Sequence, residues 1–168
     1  MQKQISLLKW ALVFWLATFV SQAQAASSTV FGDSEHAKAC YQMALMVSKQ
    51  ANDLMVSTDA CDLALVDFLS RRDQASTLVN RGLILARQGD FTRAYKDYEK
   101  AIALHKSVKP VAMINIGNAQ FLQQNYDVAI KQYSEALDLD VKQRHAAVLN
   151  RGMALEKIGD WVAAEQDY

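Results

Sequence analysis

The sequence holds few residues that could do chemistry together, and the nearest to a site are His36, Cys40 and Cys61. His36 and Cys40 lie four residues apart, so a helix would place both side chains on one face, as in part of a metal site. Three ligands without a fourth are a weak indication of zinc, which usually takes four. A disulfide between the two cysteines, beside a solvated histidine, is therefore the favoured interpretation, with two buried thiols as the alternative.

The other candidate residues form no catalytic arrangement. His105 and His145 lie near predicted helix ends without partners at metal-binding spacing, so we expect them to be solvated or to cap helices. No Ser-His-Asp order, glycine-rich phosphate loop or pair of inward carboxylates stands out in the sequence. These observations favour a protein that is not an enzyme, and they predict no cofactor and no metal.

Residues 1–25 have the pattern of a secretory signal peptide. Lys3 and Lys9 provide a positive start, an apolar run follows from Trp10 to Val20, and Ala23 and Ala25 are the small residues that a signal peptidase recognises. An uncleaved anchor is the less favoured alternative, because a membrane span needs about 20 apolar residues. We predict cleavage after Ala25 and a periplasmic or secreted mature chain without a membrane span.

Export changes the interpretation of both the charge and the cysteines. Removal of residues 1–25 takes away two lysines and no acid, so 18 basic residues become 16 against 18 acidic ones, a net charge of −2. A mildly acidic chain lacks the basic face that general nucleic-acid binding requires, so no nucleic-acid partner is expected. Disulfides persist outside the cytosol, which favours a bridge between Cys40 and Cys61.

A repeat with a period of 35 residues organises the rest of the chain, and Gly82, Gly117 and Gly152 mark it. Apolar residues around each glycine recur at helical spacing, and each unit is predicted to be two antiparallel helices joined by a tight turn. Because a glycine inside a helix costs about 1 kcal/mol relative to alanine, we expect the paired helix to approach closely at each one. The second helices carry small and aromatic residues for that contact, namely Ala94, Ala129 and Ala164 with Tyr98, Tyr133 and Tyr168.

These landmarks resemble the tetratricopeptide repeat, whose pattern has a small residue at position 8, Gly-Asp-aromatic at positions 15 to 17, alanine at 20 and 27, and an aromatic residue at 24. The first clear unit supplies them as Gly82, Gly89-Asp90-Phe91, Ala94, Tyr98 and Ala101. The resemblance covers residues 75–168 strongly and residues 38–71 weakly. It implies an all-α fold, a right-handed solenoid of antiparallel helical hairpins.

The resemblance also divides the mature chain into segments. Residues 26–33 are a predicted leader, residues 34–71 a degenerate N-terminal helical hairpin and residues 71–74 a polar connector, and the repeats occupy residues 75–108, 110–143 and 145–168, the last of them incomplete. The second helix of the degenerate hairpin is expected to end near Ser70. In this register Cys40 falls at the start of the first helix and Cys61 well into the second, and these ends meet in an antiparallel hairpin.

Two departures from the family pattern lead to structural predictions. Arginine replaces the usual apolar residue at position 7 in the first and third units, and an aspartate follows sixteen residues later, so we predict the pairs Arg81–Asp97 and Arg151–Asp167. A partly exposed pair of this kind would contribute roughly 1 kcal/mol or less. Gln124 stands where the turn glycine is expected, which predicts a residue held at positive φ.

The resemblance implies a concave groove lined by the first helices. Its positions correspond to Ser76, Val79, Leu83, Ala86 and Arg87 in the first unit, to Val111, Ile114, Asn118, Phe121 and Leu122 in the second, and to Ala146, Leu149, Met153, Glu156 and Lys157 in the third. The middle of the groove is apolar, which favours a binding surface over a face covered by a neighbouring helix or by the leader. Family members that grip a terminal carboxylate use lysines and asparagines in this groove. Val79 stands where a lysine would help, which disfavours that mode.

The function implied is that of a non-catalytic scaffold, which binds an extended or helical segment of a protein or peptide partner. The residues expected to bind it are Val79, Leu83, Arg87, Ile114, Asn118, Phe121, Leu149 and Met153. Asparagine recurs at position 6, where it would contact either the ligand's backbone or the main chain of the neighbouring repeat, in Asn80, Asn115 and Asn150. The alternative is a structural subunit that forms a homo-oligomer or packs in a larger envelope assembly, because the helix predicted from Trp161 to Tyr168 is too short to be stable alone.

Overall fold

The computed structural model describes residues 34–49, 56–139 and 142–168, so the predicted signal peptide and leader lie outside the described residues. Every regular element in those ranges is helical. The described elements are α1 (Glu35–Lys49), α2 (Asp59–Ala64), α3 (Arg71–Arg87), α4 (Phe91–Leu104), a 3-10 helix (Lys106–Val108), α5 (Lys109–Leu122), α6 (Tyr126–Asp138), α7 (Arg144–Ile158) and α8 (Trp161–Asp167).

Successive helices pack in pairs, and the pairs stack. α1 contacts α2, α3 contacts α4, α5 contacts α6 and α7 contacts α8, which makes four hairpins in the described part of the chain. The first helix of each hairpin also contacts the first helix of the next, so α1, α3, α5 and α7 form one continuous layer. This arrangement is an all-α repeat solenoid, and it confirms the predicted fold class.

A tyrosine ring fills the space above each repeat glycine. A methyl group at Gly82 would lie 2.6 Å from Cε1 of Tyr98, and one at Gly117 would lie 2.5 Å from Cε1 of Tyr133. Real Cβ atoms do not approach a ring carbon so closely, and both rings are buried. The predicted close approach is therefore confirmed, and the neighbour that requires glycine is the tyrosine of the same hairpin.

The turns inside the three repeats share one backbone conformation. Gly89 and Gly159 have φ values of +83° and +82°, and Gln124 at the equivalent position has φ of +63°. In each turn the following residue donates its N–H to a carbonyl in the last turn of the preceding helix, as the Asn125 N–H does to Gln120 at 2.9 Å. Glutamine adopts the left-handed conformation at a cost that glycine avoids, and the predicted positive φ is confirmed.

The two predicted ion pairs are present, and each also reaches the preceding hairpin. Arg81 donates from Nε and Nη2 to the two carboxylate oxygens of Asp97, both at 2.7 Å, and from Nη1 to Asp62 of α2 at 2.7 Å. Asp97 is 6% exposed, and its hydrogen bonds raise the pKa of the Arg81 guanidinium above its usual value. The third repeat has the same arrangement in Arg151, Asp167 and Ser134.

Two helix boundaries differ from the predicted ones. α3 begins at Arg71, before the predicted start of the repeat, because Ser70 caps it: the Asp73 N–H donates to the Ser70 hydroxyl at 3.1 Å, and that hydroxyl donates to the Asp73 carboxylate at 2.6 Å. The Ser-x-x-Asp spacing is itself a sequence signal for a helix start, so the predicted connector was wrong. α2 ends at Ala64 rather than near Ser70, and Phe68 beyond it is fully exposed.

Gly117→Ala is expected to lower the free energy of unfolding by about 1–3 kcal/mol, because the new methyl group must displace a buried ring. Gly152→Ala is the matched comparison: Tyr168 is 62% exposed, so its ring shifts at less cost than the buried ring of Tyr133, and the helix propensity of alanine, worth about 1 kcal/mol, offsets part of the overlap. Chemical denaturation of both variants measures the difference. Equal losses for the two substitutions would contradict the role assigned to the buried ring.

Gln124→Gly should raise the free energy of unfolding by up to about 1 kcal/mol, because glycine adopts positive φ without a Cβ penalty. The reciprocal control is Gly159→Gln. Nothing lies within 4 Å of a Cβ added at Gly159, so the stability that this variant loses reports backbone strain alone. The denaturation midpoint is the measurement. If Gln124→Gly leaves the denaturation midpoint unchanged, Gln124 does not have positive φ in solution.

Candidate functional site

The first helices of the hairpins line a cavity of about 330 Å³ that is open to solvent. α3 and α5 provide most of its walls, α7 provides one end, and α1 closes the other. The lining residues are Val47 and Ser48 of α1, Leu83, Ala86 and Arg87 of α3, Asn115, Asn118, Ala119, Phe121 and Leu122 of α5, Tyr133 of α6, and Asn150 and Met153 of α7. The cavity lies on the face where the resemblance predicted a groove.

Five of the eight predicted groove residues line this cavity: Leu83, Arg87, Asn118, Phe121 and Met153. The other three lie elsewhere. Val79 and Ile114 are 4% and 5% exposed and belong to core clusters, because the first helices of neighbouring hairpins approach closely at their level. Leu149 is 49% exposed on α7 and is not among the lining residues.

Sequence reasoning did not include α1 in the groove. Val47 and Ser48 come from the degenerate hairpin, which matches the repeat only weakly, so the predicted groove residues were taken from the three clear repeats alone. Asn115 and Asn150 did carry a signal, since asparagine recurs at position 6. Asn150 donates to the side chain of Asn118 at 2.9 Å rather than to a main-chain carbonyl.

Asn118 is the centre of a polar network on the cavity floor. Its carbonyl oxygen Oδ1 accepts from the Tyr133 hydroxyl and from Nδ2 of Asn150, both at 2.9 Å. Burial raises the pKa of Tyr133, so its hydroxyl keeps the proton that it donates. Both bonds orient the Asn118 amide, and they leave its Nδ2 and the Oδ1 of Asn150 outside the network.

The preceding repeat has no such network. Leu83 occupies the position of Asn118, and the hydroxyl of Tyr98 is buried without a hydrogen-bond partner in the described structure. Desolvation raises the pKa of Tyr98, as expected for a phenol in an apolar surrounding. The cavity therefore has Leu83 on α3 at the position where α5 has the Asn118 amide. Arg87 supplies the charge among the lining residues that the structure describes.

The second candidate site, around the cysteines, has a structural role. Cys40 and Cys61 form a disulfide, so their sulfurs are not available as thiolate ligands. His36 Nδ1 lies 3.0 Å from the Asp67 carboxylate, which also accepts from the Ser34 hydroxyl. The hydrogen bonds from Ser34 and then His36 lower the pKa of Asp67. Within residues 34–49, 56–139 and 142–168, no group of three or more potential ligands is arranged to hold a metal ion.

His105 caps the 3-10 helix, where its Nδ1 accepts from the Ser107 N–H at 3.4 Å and also contacts the Ser107 hydroxyl at 2.7 Å. His145 is exposed near the start of α7. These positions agree with the predicted capping and solvated roles. In the part of the chain that the structure describes, no helix has the length and apolar character to cross a membrane.

Tyr133→Phe is expected to lower the free energy of unfolding by about 1 kcal/mol, because it removes the hydrogen bond to Asn118. Tyr98→Phe is the matched variant and should leave the stability unchanged or raise it, because it removes a buried hydroxyl that has no partner. Chemical denaturation compares the two. A loss for Tyr98→Phe as large as that for Tyr133→Phe would show that the Tyr98 hydroxyl has a partner in solution.

Two family models, both described as the tetratricopeptide repeat, match the chain, one over residues 73–140 and the other over residues 114–168. No curated protein matches it. Together the two models span the hairpins that form the floor of the groove. Repeats of this kind generally mediate protein–protein interaction. The glycine–tyrosine contacts, the turns and the family matches agree: the chain belongs to the tetratricopeptide-repeat family.

Proposed function

We propose that the protein is a non-catalytic scaffold whose groove binds an extended segment of a partner protein. The observation that carries this proposal is the composition of the cavity, which combines an apolar wall with oriented amides. Ligand sites are commonly apolar surfaces with a few polar groups that fix the ligand's orientation. The cavity volume of about 330 Å³ suits one or two side chains of such a segment rather than a folded domain.

The apolar wall provides an anchor site. Phe121 packs edge to face on Tyr126, with ring centroids 5.3 Å apart, so its position is fixed before a ligand arrives. Leu122 and Met153 are 45% and 42% exposed beside it, so the three side chains form an exposed apolar surface in the cavity. An apolar side chain of the partner that enters here removes all three from water.

The amides favour an extended segment over a helical one. Asn118 Nδ2 and Asn150 Oδ1 provide a donor and an acceptor on the cavity floor, outside the network that orients them. An extended chain presents unpaired N–H and C=O groups that these amides can meet, whereas a helix has already satisfied its own. Val79, the position where a lysine would hold a terminal carboxylate, is buried, which favours an internal segment of the partner.

Met153→Glu is expected to weaken binding at least about tenfold, because it places a charge among apolar side chains where the partner docks. Phe121→Glu should act in the same direction. A peptide selected from a displayed random library on the wild-type protein serves as the ligand, and its Kd is measured by fluorescence anisotropy. Val128→Glu is the matched control, since Val128 is similarly exposed at 44% on α6 and lies outside the cavity.

Two outcomes would contradict the groove assignment. One is an unchanged Kd for Met153→Glu in a variant with the wild-type melting temperature. The other is an equal loss for Val128→Glu, which would place the peptide on the other side of the repeat. A charge-conserving second pair, Met153→Gln and Val128→Gln, separates the effect of polarity from that of charge.

We also propose that the protein is exported to the periplasm or a comparable compartment. The signal-peptide pattern in residues 1–25 motivates this, and the Cys40–Cys61 disulfide supports it, because such bonds persist in oxidising compartments. The full chain expressed in a bacterial host should yield a mature protein that begins at Ala26. Intact mass and N-terminal sequencing of the envelope fraction are the measurements, and an uncleaved N-terminus would contradict export by this route.

A further inference from the structure

The N-terminal hairpin supplies one wall of the groove, although it is the hairpin least like the others. Val47 and Ser48 lie in the last turn of α1 and line the cavity opposite α5. α1 makes its contacts with α2 and α3 only, among the described elements. The position of this wall therefore depends on how firmly α1 is held against those two helices.

α1 is held by a smaller buried core cluster than the two clusters of the repeats. Its core cluster is small, with Cys40, Ala44 and Val47 against Ile84 of α3 and Cys61 of α2. α2 has six residues, too few for a helix that is stable by itself. This hairpin also lacks the glycine and tyrosine that fasten the other hairpins, and the disulfide joins its two helices instead, with the Cα atoms 4.7 Å apart.

The polar contacts of this hairpin are exposed or only partly buried, and the hydrogen bonds of Ser34 and His36 to Asp67 are among them. Arg81 reaches Asp62 of α2 at 2.7 Å, but the Asp62 side chain is 50% exposed, and such ion pairs contribute little. The Gln88 amide donates to the Val56 carbonyl, again at the surface. The disulfide is the covalent link in the described part of the hairpin, and it is buried, with Cys40 at 0% and Cys61 at 1% exposure.

We propose that this disulfide is a redox switch for the groove, an inference that rests on the proposed function. In the oxidised form α1 holds Val47 and Ser48 in the wall, and the groove is complete. A dithiol reductant attacks one sulfur, its second thiol resolves the mixed disulfide, and two electrons and two protons convert the bond into two cysteine thiols while the reductant becomes a disulfide. The reduced hairpin releases α1, and the groove loses one wall. Binding competence then develops only where disulfides form, after the chain leaves a reducing compartment.

Hydrogen exchange followed by mass spectrometry tests the release of α1 without any ligand. The full-length mature protein is compared before and after treatment with dithiothreitol. We expect the protection of amides in residues 35–49 to fall at least about tenfold, while protection in residues 109–138 stays the same. Unchanged protection in residues 35–49 would overturn the switch. Equal loss in both ranges would overturn it as well, because the disulfide would then stabilise the whole domain.

Peptide binding tests the effect on the groove. The displayed peptide selected on the oxidised protein should bind the reduced protein at least about fivefold more weakly, and an equal Kd would overturn the switch. The control is Cys40→Ala/Cys61→Ala, which should bind like the reduced protein and ignore dithiothreitol; a response to the reductant would mean that it acts elsewhere. If no peptide binds the oxidised protein, the proposed function fails, and the exchange measurement alone decides whether the disulfide holds α1.

Discussion

The contact between a helix glycine and a tyrosine ring is the constraint on which the repeat architecture depends. Gly82 and Gly117 leave room that Tyr98 and Tyr133 fill completely, so the two helices of a hairpin can meet at one register and one distance. The bidentate pair between Arg81 and Asp97 acts across the same two helices at an adjacent position, and its third bond extends to the hairpin before it. Ring packing thus sets each hairpin, and the arginine joins one hairpin to the next.

The tyrosine of each repeat also affects the chemistry of the groove. The tyrosine ring points its hydroxyl toward the first helix, where the residue directly after the repeat glycine is either Leu83 or Asn118. With asparagine, the hydroxyl is satisfied and the amide is oriented toward the cavity; with leucine, the hydroxyl is buried unpaired and the wall is apolar. The oriented amide on the cavity floor therefore follows from this one difference between two otherwise similar repeats.

The N-terminal hairpin solves the same problem by covalent chemistry. α2 is too short to bury a large apolar surface, and no ring crosses from it to α1, so the disulfide between Cys40 and Cys61 takes the place of the glycine–tyrosine contact. A cross-link stabilises by limiting the unfolded chain and needs little buried area. The hairpin can therefore differ in sequence from the repeats and still present Val47 to the groove.

The sequence by itself determined the class of fold, the period and the turns, because these depend on local patterns: helical spacing of apolar residues, a glycine every 35 residues, and Gln124 in place of a turn glycine. It also predicted the ion pairs, since the period placed their members in register, and it favoured the disulfide from the count of two cysteines and the predicted export. Only the tertiary structure decided that Val79 and Ile114 are buried, that α1 lines the groove and that Asn150 meets Asn118. Those outcomes depend on how closely neighbouring hairpins approach, which is a property of packing between distant segments and leaves no periodic signal in the chain.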